Sequence, residues 1–305
     1  MIQQPIRKIG FGHFMAFVTV AIWGSTFVFT KMLLLNGLSP AQIFTLRFII
    51  AYVLLLAFEL TTKWQSFRLF CESWRDELIM LLLGISGGSL YFLTENAAML
   101  YTTATNTSLI VCSCPLFAML LVALVYHKSE RFTGVQVVGS LLACMGMAVV
   151  VLNGHFVLHL SPIGDMLAFS ACLCWAVYSL MMKSVTERYS TFFITRKVFF
   201  YGLVTILPYY FLFPGFPSME VIFSSQVLWN LLFLSVVASM GCFLVWNWVI
   251  HQLGAVVATN WVYFNPITTI LFAWWLLHEQ ITSWFLLGTL LILTGMYLCD
   301  KKQNH

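Results

Sequence analysis

An internal duplication constrains this chain more than any other feature of its sequence. The second half repeats landmark residues of the first half in the same order and at nearly constant offsets. The offset is 152 for Trp23 and Lys31 with Trp175 and Lys183, 151 for Asn96 and Pro115 with Asn247 and Pro266, and 149 for Glu130, Thr133, Gly139 and Gly146 with Glu279, Thr282, Gly288 and Gly295. Two insertions or deletions therefore suffice to align the halves. We expect one repeat over residues 1–154 and a second over residues 155–305.

The composition places both repeats in a membrane. Hydrophobic residues make up 61% of the chain and charged residues 9%, whereas a soluble protein carries about 25% charged residues. The longest polar stretch, residues 61–77, is too short to fold separately. A duplication inside so apolar a chain is typical of transporters built from internal repeats, whose substrates bind between the repeats near the bilayer midplane.

Apolar stretches close to the ~20 residues that cross a bilayer predict ten spans. Helices are expected because unpaired backbone groups cannot face lipid and because the alternation typical of barrel strands is missing from the sequence. The apolar run at residues 9–35 is too long for the core of a signal peptide, so we assign it to a retained first span. The predicted limits are 11–34, 41–60, 78–99, 104–126, 133–152, 163–184, 198–213, 227–251, 255–277 and 284–298.

The basic residues predict how these spans are oriented. If the N-terminus is cytoplasmic, 13 of the 15 Lys and Arg residues lie on the cytoplasmic side, as the positive-inside rule requires. This count treats Arg196 and Lys197 as loop residues. We interpret Glu59, near the predicted end of the second span, as an ordinary interfacial charge. Five spans in each half is an odd number, so the second repeat enters the membrane inverted. The predicted fold class is thus an all-α integral membrane protein with two inverted five-helix repeats and both termini in the cytoplasm.

Several motifs together resemble the EamA-like group of the drug/metabolite transporter superfamily. They are the Trp-Gly-Ser-Thr-Phe run at 23–27, the Arg-Phe pair at 47–48, the segment 104–115, and the blocks 130–146 and 279–295. The resemblance implies a ten-helix transporter of a bacterial inner membrane whose relatives export amino acids, other small metabolites or toxic organic cations. The second repeat departs from the pattern, because Trp-Ala-Val-Tyr at 175–178 lacks the small polar residues of the first.

The function predicted from this resemblance is export of amino acids or related compounds by alternating access, with possible proton coupling. The alternative is an importer or facilitator of sugars, nucleotide sugars or other small solutes. The expected partners are a small-molecule substrate and membrane lipid, without nucleic acid, and a monomer and a homodimer are both open. No enzymatic activity, cofactor or metal is expected. The sequence contains no Gly-x-x-x-x-Gly-Lys phosphate loop, so transport is expected to draw on a gradient.

Charged residues at membrane depth are the first candidates for the site, because each costs at least ~2.5–3.5 kcal/mol near the bilayer centre. Glu95 lies late in the third span beside Asn96 and one helical turn after Tyr91. Its carboxylate is predicted to bind a substrate ammonium or to carry a proton. The alternative is a structural pairing with Lys31 or Arg47.

Two basic residues are the complementary candidates. The planar guanidinium of Arg47 suits a substrate carboxylate, although a structural tie to Glu95 or to helix-end carbonyls is equally compatible with the sequence. Lys31, near the end of the first span, either lines an outer vestibule or extends to lipid headgroups.

Aromatic and amide side chains inside the spans complete the predicted site. Their rings can stack on an apolar, aromatic or cationic substrate, and their amides seek partners or water, although helix packing is the alternative for each of them. The candidates are Trp23, Trp175, Tyr178, Tyr263, Asn247 and Asn265.

Two further patterns concern helix geometry. Pro115 and Pro266 occupy equivalent places in the fourth and ninth spans, where a proline removes a backbone hydrogen bond and permits a kink. They are candidate gating hinges, with static kinks as the alternative. Small residues along one face of the fifth and tenth spans predict close helix contact, either within the bundle or in a dimer.

Overall fold

The computed structural model describes residues 6–62, 67–102, 104–125, 133–152, 161–182, 184–213, 215–277 and 283–300. These residues form ten long helical bodies and one short helix, Met219–Ile222, with no strand among them, and we number the long bodies as spans 1 to 10. Spans 1 to 5 are Ile6–Leu35, Pro40–Thr62, Trp74–Tyr101, the pair Ala104–Val111 and Cys114–Val125, and Gly134–Leu152. Spans 6 to 10 are Pro162–Met182, Thr191–Leu212, Ser225–Leu253, the series Ala255–Asn260, Trp261–Phe264 and Asn265–Leu277, and Ser283–Asp300.

The packing is that of a bundle surrounded by lipid. Eight of the described helices are long and apolar enough to cross a bilayer, and spans 5 and 10 are shorter apolar helices. Large apolar side chains such as Trp274 and Leu286 are exposed, whereas Asn96, Asn247 and Thr259 are buried. This inversion of the usual pattern is expected where the solvent is hydrocarbon and polar groups must find partners inside the bundle. The predicted all-helical fold class is confirmed.

One predicted boundary was wrong. Span 7 begins at Thr191, not at Val198, because the Ser190 side chain caps the helix by accepting a hydrogen bond from the backbone N–H of Phe193. Arg196 and Lys197 therefore belong to the helix and are only 3% and 4% exposed, so they are not loop residues.

These two cations belong to a buried set of ion pairs, which we call the basal cluster. Arg196 pairs with Glu59 at 2.5 Å, Lys197 pairs with Glu77, and Arg188 pairs with Asp76 at 2.7 Å. The interpretation of Glu59 as an interfacial charge was therefore wrong, since its carboxylate is buried against Arg196. The cluster joins spans 2 and 3 of the first half to span 7 and the loop before it.

The basal cluster lies at the end of the bundle where span 1 begins. Tyr189, in the loop before span 7, donates a hydrogen bond to Asp76 at 2.8 Å. The same tyrosine borders a surface groove with Phe11 of span 1 and Trp248 of span 8, whose rings are 5.7 Å apart. The start of span 1 and the basal cluster are thus on one side of the molecule.

Helical irregularities recur at corresponding places in the two halves. Spans 3 and 8 contain π-helical segments at Ile85–Ser89 and Phe233–Gly241. Span 4 is interrupted at residues 112–113, and span 9 contains a 3₁₀ turn at Trp261–Phe264. The paired irregularities fit the duplication in the sequence. Of its landmark residues, Lys183, Glu130, Glu279 and Thr282 lie outside the described residues, as does the predicted boundary at residues 154 and 155, so the division into repeats stays a prediction.

The two prolines follow these interruptions directly. Pro115 and Pro266 are each the second residue of the helical segment after the break, Cys114–Val125 and Asn265–Leu277. A proline is well accommodated in the first turn of a helix because its missing N–H would have no partner there. In both spans the proline thus lies directly after an irregular segment, and a role in gating stays a prediction.

Spans 5 and 10 pack face to face through their small residues. A Cβ added to Gly139 would lie 2.7 Å from the Gly295 carbonyl oxygen, and one added to Gly146 would lie 2.7 Å from the Gly288 carbonyl oxygen. Backbones this close require glycine on both helices. The close contact predicted from the sequence is therefore made within the bundle.

Candidate substrate site

A narrow cavity lies in the middle of the bundle, where spans from both halves meet. The space in it that is open to the centre of a water molecule is about 30 Å³, which holds about two waters, so binding of a larger substrate requires the surrounding spans to move apart. Spans 1, 2, 3, 4, 6, 8 and 9 contribute to its lining. The lining residues are Trp23, Thr26, Phe27, Arg47, Tyr91, Phe92, Glu95, Val111, Cys114, Trp175, Phe243, Val262 and Asn265.

The walls of the cavity are mainly aromatic. The rings of Trp23 and Trp175, which correspond in the two repeats, meet edge to face with centroids 5.3 Å apart. Tyr91 packs against Trp175 at 5.2 Å and Phe243 packs against Trp23 at 5.9 Å. The Trp23 indole is held in place because its Nε1 donates to the carbonyl of Ala238 at 2.9 Å. The wall thus offers ring faces and edges to an apolar or cationic group.

Glu95 supplies the negative charge of the cavity. One helical turn separates it from Tyr91, whose hydroxyl donates a hydrogen bond to Glu95 Oε1 at 2.7 Å. The carboxylate is buried. Among the ion pairs of the described residues, none joins Glu95 to Arg47 or to Lys31, so the structural pairings left open by the sequence are not formed within 4.0 Å.

Arg47 supplies the positive charge. Its Nε donates to the Leu234 carbonyl at 3.1 Å and to the Ser239 hydroxyl, and its guanidinium carbon lies 4.7 Å from the centre of the Phe92 ring. Leu234 and Ser239 both belong to the π-helical segment of span 8. Within the described part of the chain, both hydrogen bonds of Arg47 leave from Nε, so its two terminal nitrogens are available to a ligand. The Leu234 carbonyl lies inside span 8, so this contact differs from the tie to Glu95 or to helix-end carbonyls that the sequence left open.

Asn265 is the third polar group of the cavity. It is the first residue of the helical segment that follows the 3₁₀ turn of span 9, and it is buried. Its carbonyl oxygen accepts a hydrogen bond from the Thr268 hydroxyl at 2.9 Å, which keeps the helix start in place. The turn directs the side chain of Asn265 to the cavity beside Val262.

Five of the predicted site residues contact other helices instead of lining the cavity. Lys31 Nζ donates to the Met99 carbonyl at 2.7 Å, and Asn96 Nδ2 donates to the Pro40 carbonyl at 3.2 Å. Tyr178 donates to Asn247 Oδ1 at 2.7 Å, and Tyr263 shares a hydrogen bond of 2.8 Å with Ser140. The structure thus gathers six candidates, namely Trp23, Arg47, Tyr91, Glu95, Trp175 and Asn265.

Tyr178 and Asn247 nevertheless lie directly beside the cavity. The Tyr178 ring packs on Trp175 with centroids 5.1 Å apart, and Asn247 Nδ2 continues the chain of hydrogen bonds to Thr195 Oγ1 at 2.9 Å. This chain links spans 6, 8 and 7. A direct role of these side chains in binding stays a prediction, and their observed contacts are structural.

The sequence analysis missed several residues that line the cavity and the residues that hydrogen-bond Arg47. Phe27 follows Trp23 by one helical turn, so helical spacing was a usable signal for it. Phe243, Val262 and Cys114 carried no such signal, because apolar residues fill every span. Leu234 and Ser239, which accept hydrogen bonds from Arg47, could not be predicted either, because hydrophobic periodicity does not reveal a π-helical segment.

Comparison with known proteins identifies the family. The model of the EamA-like transporter family matches residues 10–152 and 162–299, which together are most of the chain. The chain belongs to the EamA-like transporter family. As the family implies, it is a multi-pass membrane protein that transports small molecules, and it is not an enzyme.

Curated relatives of the chain have the same length and the same class of function. A transporter of Archaeoglobus fulgidus is 27% identical over 96% of this chain and 98% of its own. A probable amino-acid metabolite efflux pump of Escherichia coli is 25% identical over 93% of both chains. A probable terminal-alkyne amino-acid exporter of Streptantibioticus cattleyicolor is 26% identical over 75% of this chain and 74% of its own.

A solved crystal structure shares the fold. It aligns with a TM-score of 0.73 over 95% of this chain and 97% of its own, with 18% sequence identity. The same arrangement of helices therefore occurs in an experimentally determined structure.

Proposed function

We propose that this transporter exports amino acids or closely related amino compounds across the inner membrane by alternating access. One observation carries the proposal: a carboxylate and a guanidinium lie in the same aromatic-walled cavity, formed by both halves of the chain. An amino acid presents the complementary pair of charges on a single carbon atom. Its ammonium suits Glu95 and its carboxylate suits Arg47.

The energetics favour a zwitterionic substrate. Glu95 and Arg47 are both buried, and their hydrogen bonds are to neutral groups, while the two charges act on each other only from beyond the 4.0 Å of an ion pair. A buried charge without an ionic partner is costly in a membrane. A ligand with one charge of each sign provides a partner for both residues at once. The aromatic wall is then available to an apolar or aromatic side chain.

The printed names of two relatives agree with this substrate class and with the outward direction. The Escherichia coli relative is named a probable amino-acid metabolite efflux pump, and the Streptantibioticus relative a probable terminal-alkyne amino-acid exporter. Sugars and nucleotide sugars are the alternative from the sequence. Two opposite charges in one cavity favour the amino compound, because a neutral sugar leaves both charges without a partner.

Glu95 also offers a mechanism of proton coupling. A carboxylate that binds the substrate ammonium must be ionised, and a proton bound to it removes the attraction. Proton and substrate therefore compete for one group, which is the minimal requirement for exchange. When the cavity is open to the outside, a proton that binds Glu95 would release the substrate. When the cavity is open to the cytoplasm, loss of this proton would allow the next substrate to bind.

Alternating access further requires each end of the bundle to open in turn. We propose that the termini and the basal cluster face the cytoplasm. The ion pairs Glu59–Arg196 and Glu77–Lys197 then join the two halves when the cytoplasmic side is closed. Loading from the cytoplasm would separate spans 2 and 3 from span 7.

Transport into everted membrane vesicles tests the proposal. Vesicles that contain the wild type are expected to accumulate labelled amino acids when the lumen is acidified, and Glu95→Gln is expected to lose this response to the pH gradient. Glu187→Gln is the control, because Glu187 is an exposed carboxylate in the loop before span 7.

The possible outcomes separate substrate from coupling. No accumulation of any amino acid by the wild type would overturn the proposed substrate class. Accumulation that responds to the gradient equally in wild type and Glu95→Gln would remove Glu95 from coupling and leave the substrate class intact.

A further inference from the structure

Two polar atoms of the cavity lining have no partner in the protein. They are the indole nitrogen Nε1 of Trp175 and the amide oxygen Oδ1 of Asn265, and no group of the described residues hydrogen-bonds either atom. Both side chains belong to residues that are almost wholly buried, with 4% of Trp175 and 6% of Asn265 exposed. One atom is a hydrogen-bond donor and the other an acceptor.

Such atoms are uncommon, because a buried polar group without a partner loses its hydrogen bonds to water. Other buried atoms of the described residues, such as Trp246 Nε1 and Asn96 Oδ1, also lack a partner, but among these atoms only those of Trp175 and Asn265 belong to the cavity lining. Two neighbours of the same chemical types are satisfied. Trp23 Nε1 donates to the Ala238 carbonyl, and the amide of Asn247 is bonded on both sides. The lack of partners at Trp175 and Asn265 therefore points to a ligand that fills the cavity.

The position of Asn265 is fixed by its backbone. Its carbonyl oxygen accepts hydrogen bonds from the hydroxyls of Thr268 and Thr269, both at 2.9 Å. These bonds hold the start of the helical segment in place, and the Asn265 side chain belongs to the cavity lining with Oδ1 as its atom without a partner.

We propose that Asn265 Oδ1 accepts a hydrogen bond from an N–H of the substrate ammonium and that Trp175 Nε1 donates one to the substrate carboxylate. The transporter then selects compounds whose cationic nitrogen carries at least one hydrogen and rejects quaternary ammonium ions. This inference rests on the proposed function, since it assigns the selectivity of the same cavity.

The charged and aromatic groups alone make this distinction only in part. The charge of Glu95 attracts primary and quaternary ammonium ions, although its carboxylate can also accept an N–H, and aromatic faces bind quaternary ammonium ions well. Asn265 Oδ1 is a neutral acceptor, so it favours only a cation that carries an N–H. A site built around a hydrogen bond strongly rejects an analogue that lacks it, because the buried group of the protein is then left unpaired.

Binding to the purified full-length protein in detergent tests the inference by calorimetry. The ligands are two matched pairs: phenylalanine with its N,N,N-trimethyl derivative, and phenethylamine with its trimethylammonium derivative. The wild type is expected to bind the N–H member of each pair roughly 10- to 100-fold more tightly. Asn265→Leu keeps the side-chain volume and removes this acceptor, so the preference should fall about tenfold.

The Trp175 hydrogen bond is tested with the carboxylate. Trp175→Phe is expected to weaken binding of phenylalanine about tenfold relative to phenethylamine, which has no carboxylate. Asn230→Leu and Trp246→Phe are the matched controls, because each removes a buried atom without a partner outside the cavity lining. Both controls should keep the wild-type preferences.

Each result decides one part of the inference. If Asn265→Leu keeps the wild-type preference, the quaternary ions are excluded by size or Oδ1 binds water, and the Asn265 assignment is overturned. If Trp175→Phe weakens both ligands equally, the Trp175 assignment is overturned. If the wild type binds no member of either pair, the amino substrate of the proposed function fails, and the inference fails with it.

Discussion

At the scale of single residues, the structure separates two kinds of buried charge. Glu77 is neutralised by Lys197 and also accepts hydrogen bonds from Tyr201 and from the backbone N–H of Cys71, the last at 2.8 Å. Within the described residues, Glu95 accepts its hydrogen bond from the neutral Tyr91 hydroxyl and has no ion pair within 4.0 Å, although the charge of Arg47 still acts on it. A carboxylate that forms an ion pair holds helices together. A carboxylate that is hydrogen-bonded only to a neutral hydroxyl can still form an ion pair with a cationic group of a ligand. Membrane depth alone does not distinguish the two.

A glycine beside the cavity leads to a prediction at this scale. A Cβ on Gly24 would lie 1.8 Å from Thr268 Oγ1 and 2.6 Å from the Asn265 carbonyl oxygen. Gly24→Ala must therefore push span 9 away from span 1, and we expect a loss of about 1–3 kcal/mol of stability together with weaker substrate binding. Thermal unfolding in detergent measures the first effect and calorimetry the second.

Gly10→Ala is the matched control, because Gly10 lies in the same helix and no atom is within 4 Å of the added Cβ. We expect it to be neutral or slightly stabilising, since alanine is the better helix former. Equal unfolding temperatures for Gly24→Ala and the wild type would show that the close approach of spans 1 and 9 is not needed.

At the scale of elements, irregular helices support the site. The π-helical segment Phe233–Gly241 supplies the Leu234 carbonyl for Arg47 and the Ala238 carbonyl for Trp23. A π-helical turn is wider than an α-helical turn, which changes where its carbonyl groups point. Non-helical or strained backbone is tolerated at membrane depth where protein covers it. Span 8 thus orients one charged and one aromatic side chain of the site with a single segment.

The basal cluster gives the prediction at this scale. Removing one partner of a buried ion pair leaves an uncompensated charge, so Glu77→Gln and Lys197→Met are each expected to cost about 3–5 kcal/mol of stability. The double variant should recover most of this loss, because neither charge then remains. Thermal unfolding of the four proteins in detergent forms a double-mutant cycle.

An exposed pair of the same loop region is the control for this cycle. Arg68 and Glu72 are 2.7 Å apart, with side chains 62% and 66% exposed, so Glu72→Gln should change stability by less than about 1 kcal/mol. Additive losses in the cycle, with no recovery in the double variant, would mean that Glu77 and Lys197 do not stabilise each other across the halves.

At the scale of the whole molecule, the two halves contact each other along much of the bundle, and three of these contacts bear on transport. Spans 5 and 10 contact each other through glycines, the basal cluster joins spans 2 and 3 to span 7, and both halves line the cavity. The contact between spans 5 and 10 is apolar and tight. The basal cluster consists of charged side chains, which water can hydrate once they separate. We therefore expect spans 5 and 10 to stay together during transport, while the basal cluster separates.

The proposed orientation is tested with reporters at both ends of the chain. Ten spans and the distribution of basic residues predict that the N-terminus and the C-terminus are both cytoplasmic. A green fluorescent protein fused to either end should be fluorescent, and alkaline phosphatase fused to either end should be inactive. Opposite results for the two ends would contradict an even number of spans and the inverted repeat.

Much of the fold was predictable because it depends on local properties. Apolar length determines which segments cross the membrane, and the offsets of the landmark residues reveal the duplication. Span 7 shows the limit of this reasoning. Hydropathy places its start after Arg196 and Lys197, but the helix begins earlier because Glu59 and Glu77 come from other spans and neutralise both cations.

The candidate site divides in the same way. The sequence by itself determined the class of the protein, its spans and the residue types that a membrane makes costly, among them Glu95, Arg47 and Asn265. Only the tertiary structure decided which of these side chains share a cavity and which, like Asn96 and Lys31, bind a neighbouring helix. The reason is physical: the cost of burying a polar group belongs to the residue, but its partner depends on which helix faces meet, and these are distant in the chain.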